Sequence, residues 1–318
     1  QRALAQAAPA TALGLGMHQV WVQAARAVRA RGESFLQAVT DHAADDHLLA
    51  FGVSEPGNDA VLFDSSTTAE PDGDGGYRFT GTKVFTSLAP AWDVMSVFGK
   101  DTSGAEPRLV HGFVLRSDGD VEHLDDWDTL GMRATQSRTT NLHGVHVPAG
   151  RIVRSLPVGP NQDPLVFGIF ASFELLIASV YVGIAERAIA LAATAVAGRT
   201  AADGTRRSED PDVRRAIADL RGAVDAITLQ VDSLARSVDE VDDLGARWFP
   251  LLVGTKARAV DTAQHVVDEA MRVVGGSAFR ASSELARLAR DVRAGQYHPS
   301  SRDSAARTIA ASVLGPLG

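Results

Sequence analysis

The sequence predicts an α+β fold in which a β-rich region lies between two helical regions. Residues 1–50 are rich in Ala and Arg at helical spacing, and residues 51–160 hold short β-type runs separated by turns. Helical periodicity returns in residues 161–318 and continues to the end. We therefore expect the remainder of an N-terminal helical domain (1–50), a central β-domain (51–160) and a C-terminal helical bundle domain (161–318).

The first segment is predicted to form one or two helices. Val20, Val22, Ala25 and Val28 fall on one side of a helix, and Gly32 is a typical stop signal.

The middle segment contains six runs that predict strands: Val61–Phe63, Tyr77–Thr80, Lys83–Thr86, Asp93–Phe98, Leu109–Leu115 and Asn141–Val147. The sequence Pro-Asp-Gly-Asp-Gly-Gly lies between Glu70 and Tyr77. Its glycines can adopt the positive φ angles of a tight turn, so it predicts a hairpin.

The last segment contains the most regular pattern in the chain. Eight apolar residues follow one another at spacings of four and three: Val213, Ile217, Leu220, Val224, Ile227, Val231, Leu234 and Val238. Pro211 and Gly245 bound this helix. Further helices are predicted at Leu251–Val274, Ser283–Ala294 and Arg302–Leu314, which favours an antiparallel bundle over a free coiled coil.

The composition of the 318-residue chain excludes several function classes. A formal net charge of −8 argues against a nucleic-acid partner, which requires clustered positive charge. The absence of cysteine excludes disulfides, thiol nucleophiles and Cys-ligated metals, and the histidines fit no metal-ligand spacing. Chemistry must therefore come from His, carboxylates, hydroxyls or a cofactor.

One apolar stretch, Leu165–Ala185, is long enough to raise the question of a membrane span. Glu174 lies near its middle, and Gly168 and Gly183 interrupt it, so a buried core helix is the favoured interpretation. The chain begins at Gln1 without a signal-like segment, which suggests a cut end, and a cytoplasmic location is expected.

Several motifs carry a resemblance when they are taken together. They are Phe51–Gly57, Gly81–Ser87, Leu130–Ser137, Val145–Pro148, Ala270–Gly276 and Leu288–Ala294. In this order and spacing, the chain from about Thr11 to Ala310 resembles the acyl-CoA dehydrogenase superfamily. The resemblance implies an N-terminal helical domain, a central β-barrel-like domain and a C-terminal four-helix bundle, with the first helices missing here.

The resemblance also implies a cofactor and partners. The family binds FAD between the β-domain, the bundle and a neighbouring subunit, and it forms homotetramers or homodimers. A small-molecule substrate such as an acyl thioester is expected, with a flavoprotein or oxygen as electron acceptor.

The resemblance assigns cofactor-binding positions in the middle segment. Val53 and Ser54 match residues that meet the pyrimidine side of the flavin through backbone and hydroxyl. Phe85 and Ser87 match the aromatic and hydroxyl positions over the ring and near its N5 atom. Without the resemblance, Phe85 would be a core residue and Ser87 an ordinary strand hydroxyl.

Further cofactor positions fall in the last segment. Arg199 matches an arginine that reaches the pyrophosphate of a neighbouring subunit's cofactor, where a guanidinium suits phosphate oxygens. Arg272, Gly275 and Gly276 match the segment that meets the same cofactor. Ser301, close to the end of the chain, is also a candidate cofactor contact.

Two departures from the family pattern affect binding. Where the family has a Phe that stacks on adenine, this sequence has Ala202. The turn after Glu55-Pro56-Gly57 runs directly into Asn58 and is shorter than usual, which makes Asn58 a candidate substrate contact. Phe173 and Tyr297 are further substrate-binding candidates.

The usual position of the catalytic base does not hold an acidic residue in this sequence. The usual family position, eight residues beyond Asp291, is Pro299, which cannot accept a proton. A second family position falls on Phe173, with Glu174 next to it, so Glu174 would serve only if the register shifts by one residue. His298, just before Pro299, resembles the flavin-dependent monooxygenase branch, and histidine titrates near neutral pH. Its alternative role is to cap the last helix.

Three functions remain open at this point. The first is α,β-dehydrogenation of an acyl thioester by a flavin-dependent oxidoreductase, with His298 or Glu174 as proton acceptor and Ser87 at flavin N5. The second is a reduced-flavin monooxygenase on the same fold that uses His298 and Ser87. The third is a non-catalytic member that has lost its base.

Overall fold

The computed structural model describes residues 1–200 and 202–315 and forms two compact units. The bundle unit comprises residues 1–13, 129–133 and the chain from Glu174 onward. The sheet unit comprises residues 14–128 and 134–173. The predicted three-domain division stays a prediction, although the chain changes from helix to strand after Ala44 and back to helix at Pro164.

Three helices precede the first strand: α1 (Arg2–Ala7), α2 (Pro9–Ala30) and α3 (Gln37–Ala44). The predicted inward side of α2 is largely correct, because Val20, Ala25 and Val28 are buried while Val22 is only partly buried. Gly32 adopts a φ of +84° just beyond α2, which is the left-handed conformation that the stop signal predicted.

The sheet unit contains eight strands: β1 (Leu49–Phe51), β2 (Thr68–Pro71), β3 (Tyr77–Thr86), β4 (Val94–Asp101), β5 (Arg108–Leu115), β6 (Val121–His123), β7 (Arg138–Val147) and β8 (Ile152–Pro157). The path through the sheet runs β6-β7-β3-β2-β4-β5-β8, and β1 pairs in parallel with β4. Side chains from β3, β4, β5 and β7 form its core together with Ala50, Ala69 and Trp92.

The predicted hairpin is confirmed. Strands β2 and β3 pair antiparallel with Pro71 opposite Tyr77, and Gly73 and Gly75 have φ angles of +91° and +88°. One predicted strand is wrong: Val61–Phe63 forms a 3-10 turn, because the run is short and only Leu62 is buried.

Five helices make up the rest of the chain: α4 (Pro164–Ala197), α5 (Pro211–Asp239), α6 (Trp248–Val274), α7 (Glu284–Asp291) and α8 (Arg302–Leu314). The predicted seam of α5 is confirmed, because six of its members are buried: Val213, Leu220, Val224, Ile227, Val231 and Leu234. Helix α4 is long and apolar enough to span a membrane, but most of that apolar window is buried inside the protein. A core helix passes the same test.

Candidate functional site

The loop after β1 presents backbone groups that have no partner within the described chain. Val53 is buried and Ser54 is partly buried. The N–H of Val84 donates to the carbonyl of Ser54 at 2.9 Å, which holds the loop against the end of β3. The N–H groups of Val53 and Ser54 and the Ser54 hydroxyl donate to no other described residue. These donors are therefore free for a ligand.

A buried ion pair fixes the two motif segments to each other. Lys83 Nζ donates to Glu55 Oε1 at 2.6 Å and to the Phe98 carbonyl at 2.8 Å, and both charged side chains are fully buried. Glu55 also accepts from the Ser65 hydroxyl at 2.6 Å and the Ser66 N–H at 2.7 Å. Burial alone would raise the pKa of Glu55, but the Lys83 ammonium and these hydrogen bonds lower it to about 2. The charged residues of these motifs thus anchor the segments that carry Ser54 and Phe85.

The end of β3 brings the predicted aromatic and hydroxyl positions to the same place. Phe85 is 59% exposed and has a φ of +58°, an unfavourable angle for an aromatic residue. Ser87 is buried, and its hydroxyl lies 2.7 Å from that of Ser137, which in turn donates to the Thr135 hydroxyl at 2.7 Å. An exposed aromatic ring held in a strained conformation next to a chain of hydroxyls is typical of a ligand site.

Two substrate-binding candidates have structural partners in the sheet unit. The Asn58 side chain donates to Glu55 Oε2 at 2.9 Å and to the Asp64 carbonyl at 2.8 Å, so it closes the shortened loop. The ring of Phe173 stacks on Phe51 with centroids 5.7 Å apart.

In the bundle unit, one candidate proton acceptor, Glu174 on α4, contacts the turn that carries the other, His298. Glu174 is 1% exposed, and its Oε1 accepts from both the N–H and the hydroxyl of Ser300 at 3.0 Å. Its Oε2 is buried and has no partner within the described chain. Burial raises the pKa of the Glu174 carboxyl, while the Lys256 charge opposes this shift.

His298 lies two residues before Ser300. Its ring is 5.9 Å from that of Tyr181, and its Nδ1 is buried without a partner in the described chain. The other ring nitrogen, Nε2, is not one of the buried atoms without a partner, and it makes no hydrogen bond to a described residue. Burial, with the nearby Lys256 charge, lowers the pKa of His298 to about 3. The imidazole is therefore neutral at pH 7, and one nitrogen can accept a proton.

The predicted phosphate-contact residues gather at one end of the bundle unit. The Arg199 guanidinium donates to the Val274 carbonyl and, at 2.5 Å, to the Ser277 hydroxyl, so it brackets Gly275 and Gly276. Gly275 has a φ of +78°, which glycine adopts readily. Arg272 is exposed and pairs with Glu269 at 2.7 Å.

The remaining candidates lie near the end of the chain or at the adenine position. Tyr297 is 77% exposed. Ser301 caps α8, since its hydroxyl accepts from the Ser304 N–H at 3.3 Å. Ala202 is exposed. No group of three or more potential metal ligands occurs among the described residues.

Sequence reasoning missed one residue of this group. Lys256 is 1% exposed and contacts the turn that carries His298. A signal was present, because Lys256 follows the apolar face of α6 in the repeat Leu252, Lys256, Ala259 and Ala263. A lone charged residue in such a repeat indicates a buried polar contact.

Comparisons with known proteins identify the family. The profile described as "Acyl-CoA dehydrogenase, C-terminal domain" matches residues 175–302. L-evernosamine nitrososynthase from a Micromonospora species is 30% identical over 325 residues, which cover 98% of this chain and 75% of that protein. Dibenzothiophene monooxygenase from Rhodococcus qingshengii is 34% identical over 140 residues, or 41% of this chain.

The chain matches only 33% of the length of that monooxygenase. Among solved structures, KijD3 in complex with FMN and dTDP-3-amino-2,3,6-trideoxy-4-keto-3-methyl-D-glucose superposes with a TM-score of 0.86 at 25% identity. The match covers 100% of this chain and 78% of KijD3. The predicted α+β fold is therefore confirmed, and the chain belongs to the acyl-CoA dehydrogenase superfamily.

Proposed function

We propose that this chain belongs to a reduced-flavin-dependent monooxygenase that oxidises the nitrogen of a small-molecule amine. The observation that carries the proposal is His298, a neutral imidazole next to Pro299, where the dehydrogenase pattern requires a carboxylate. The Micromonospora relative, which matches 98% of this chain, is named as a nitrososynthase, and the KijD3 structure contains an amino sugar. Both names support an amine substrate.

The residues present fit a flavin. Val53 and Ser54 offer unpartnered donors that suit the carbonyl and ring nitrogens of a planar heterocycle, and the exposed Phe85 offers a ring to cover it. When bound, the flavin supplies two electrons and activates oxygen. We propose FAD as the cofactor because Arg199 lies beside Gly275 and Gly276, and the resemblance assigns all three to contacts with the cofactor pyrophosphate.

The reaction balances as amine, oxygen and reduced flavin giving hydroxylamine, water and oxidised flavin. As the N–O bond forms, the substrate nitrogen must lose a proton. His298 Nε2 carries no hydrogen bond to a described residue and accepts this proton. The lowered pKa leaves its lone pair unprotonated at pH 7, but it also weakens the ring as a base. Ser137 donates its hydroxyl proton to Thr135, so the Ser87 hydroxyl donates to Ser137 and would offer the flavin an acceptor oxygen.

One observation favours a second function, α,β-dehydrogenation of an acyl thioester. Glu174 has a raised pKa and an unpartnered Oε2, as a general base near neutral pH requires. Its Oε1, however, is held by Ser300, and a base must be free to reach the substrate. The electron acceptor would then be another flavoprotein rather than oxygen.

The two functions are separated by two experiments on the purified protein. With reduced FAD, oxygen and the dTDP-linked amino sugar, we expect a product heavier by one oxygen atom, detected by mass spectrometry. Anaerobic mixing of the oxidised holoprotein with acyl-CoAs should leave the flavin absorbance unchanged. Bleaching by an acyl-CoA would overturn the proposal in favour of a dehydrogenase, and failure to bind any flavin would favour a non-catalytic protein.

A variant tests the assigned residue. His298→Ala should lower turnover of the amine at least about 100-fold, because general-base contributions are typically of this size. The affinity for FAD should change much less, since the flavin donors lie elsewhere in the chain. Wild-type turnover by this variant would exclude His298 as the proton acceptor.

We also propose that the protein acts in the cytoplasm as a homotetramer or homodimer. The support is the superfamily membership, in which a neighbouring subunit completes the cofactor contacts. Analytical ultracentrifugation of the holoprotein tests the assembly, and a monomer that binds FAD at full affinity would contradict it.

A further inference from the structure

A buried lysine holds the turn that carries His298. Lys256 lies on the apolar face of α6, between Leu252 and Ala259, and is 1% exposed. A lysine in this position has lost most of its hydration, which destabilises the fold unless other groups replace the water.

The structure supplies a complete replacement for that water. Lys256 Nζ donates to the carbonyls of Gly295 at 3.2 Å, His298 at 2.8 Å and Ser300 at 2.9 Å. An ammonium has three donors, and each of them meets a backbone carbonyl of the same short turn. Lys256 thus binds the turn at three points: before His298, at His298 itself and after it.

A carboxylate from another helix binds the same turn. Glu174 on α4 accepts from the N–H and the hydroxyl of Ser300, both at 3.0 Å. The turn is therefore held through its carbonyls by a cation and through its N–H by an anion. The turn packs closely at Gly295, where no side chain fits. A Cβ there would lie 2.8 Å from the Tyr181 ring and 2.7 Å from Val260.

The charged and titratable groups around Lys256 come from three elements. Glu174 lies on α4, Asp261 on α6 itself, and His298 on the turn. Burial lowers the pKa of Lys256 to about 8, and the two carboxylates oppose this shift, so the ammonium is charged at pH 7. Its charge in turn adds to burial in lowering the pKa of His298.

We propose that Lys256 is a positioning residue that fixes the turn from Gly295 to Ser300 and so holds the His298 imidazole in one orientation. Glu174 acts with Lys256 by holding Ser300. The catalytic role of this positioning rests on the proposed function, in which His298 accepts the substrate proton. The positioning of the His298 ring by Lys256 can be tested without substrate.

The experiment is an NMR titration of the holoprotein carrying ¹⁵N-labelled histidine, with the His298→Ala spectrum identifying the His298 signals. In the wild type, we expect one neutral tautomer from pH about 8 to about 5, because a pKa well below 5 leaves the ring unprotonated there. In Lys256→Met, the ring should sample both tautomers, and its pKa should move from about 3 toward the ordinary 6.5. Lys100→Met, at a partly exposed ion pair, is the control and should leave the His298 signals unchanged.

The outcomes separate positioning from simple stability. If Lys256→Met does not fold because Glu174 is left unpaired, the double variant Glu174→Gln with Lys256→Met removes both charges and should show the same His298 titration. Wild-type His298 signals in either folded variant would overturn the proposal. Loss of helix by circular dichroism in both variants would also overturn it, since Lys256 would then support the whole fold.

Activity provides an independent readout. Turnover of the amine by Lys256→Met should fall on the acid side at a higher pH than turnover by the wild type, because loss of the Lys256 charge raises the pKa of His298 while burial still lowers it. A wild type without amine oxidation would overturn the proposed function but leave the NMR result intact. An unchanged NMR titration would overturn the positioning role even in an active enzyme.

Discussion

At the scale of single residues, the Glu55–Lys83 ion pair has the largest consequence for stability. Replacing Lys83 by Met removes the cation but leaves the Glu55 carboxylate buried with a net charge. Breaking a buried pair in this way costs about 3–5 kcal/mol. We expect Lys83→Met to lower the free energy of unfolding in urea by about this amount.

The matched control is Lys100→Met. Lys100 pairs with Asp64 at 2.7 Å, but the two side chains are 31% and 42% exposed. Exposed pairs contribute about 0–1 kcal/mol, so this variant should unfold almost like the wild type. Equal losses for Lys83→Met and Lys100→Met would contradict the ion pair as the anchor of the two motif segments.

Stability should also fall in acid because of a buried histidine. His111 stacks on Phe98 at 5.2 Å, and burial, with the Lys83 charge, lowers its pKa from 6.5 to about 3. Between these values the unfolded chain binds a proton that the folded chain does not, so stability is complete above pH 6.5 and is lost toward pH 3. The slope for one proton is about 1.4 kcal/mol per pH unit.

The variant His111→Phe tests this linkage and keeps an aromatic ring on Phe98. Urea unfolding at pH 7.5 measures its packing effect, because the imidazole is neutral there in both states. Between pH 6 and pH 4, the stability of the variant should fall less steeply than that of the wild type, by about 1.4 kcal/mol per unit. Parallel slopes would show that His111 does not contribute.

The residues that the sequence could assign are those that belong to ordered motifs. Val53 and Ser54 lie in the loop after β1, and this loop is joined to the end of β3 by the Val84–Ser54 hydrogen bond and the Lys83–Glu55 ion pair, which brings them near Phe85 and Ser87. Lys256 could not be assigned a partner from sequence, since it bonds to backbone carbonyls. A backbone acceptor leaves no mark on the sequence, so only the fold reveals the contact.

At the scale of secondary structure, the start of α5 is held by a side-chain cap. Asp210 accepts from the N–H groups of Asp212 at 2.9 Å and Val213 at 3.4 Å, and Pro211 occupies the first helical turn. We expect Asp210→Ala to lower the melting temperature, because loss of such a cap costs about 1 kcal/mol. Asp219→Ala on the exposed face of the same helix is the control and should change it much less.

Elements were predictable where many residues repeat one pattern. The seam of α5 repeats from Val213 to Val238 within a helix of 29 residues, so the pattern is too long to arise by chance. The strands β1 and β6 have only three residues each, and Val61–Phe63 has the same length but forms a 3-10 turn. A run of three residues is too short to show whether apolar and polar residues alternate as in a strand. Whether it forms a strand or a 3-10 turn therefore depends on pairing within the sheet.

At the scale of the whole molecule, the predicted cofactor contacts divide between the two units. Val53, Ser54, Phe85 and Ser87 belong to the sheet unit, whereas Arg199 and the Gly275–Gly276 segment belong to the bundle unit. The superfamily pattern assigns the second group to the cofactor of a neighbouring subunit. Each chain would then serve two flavins, so cofactor binding and subunit assembly should stabilise each other.

Arg199 provides the test of this linkage. Arg199→Gln should weaken FAD binding about tenfold or more, because a charged hydrogen bond to phosphate contributes about 1.5–3 kcal/mol. Binding of riboflavin, which lacks phosphate, should not change. Fluorescence titration measures both affinities, and Arg215→Gln, at an exposed pair with Asp212, is the control. If Arg199→Gln binds FAD as tightly as the wild type does, Arg199 serves only to hold Val274 and Ser277 and makes no contact with the cofactor phosphates.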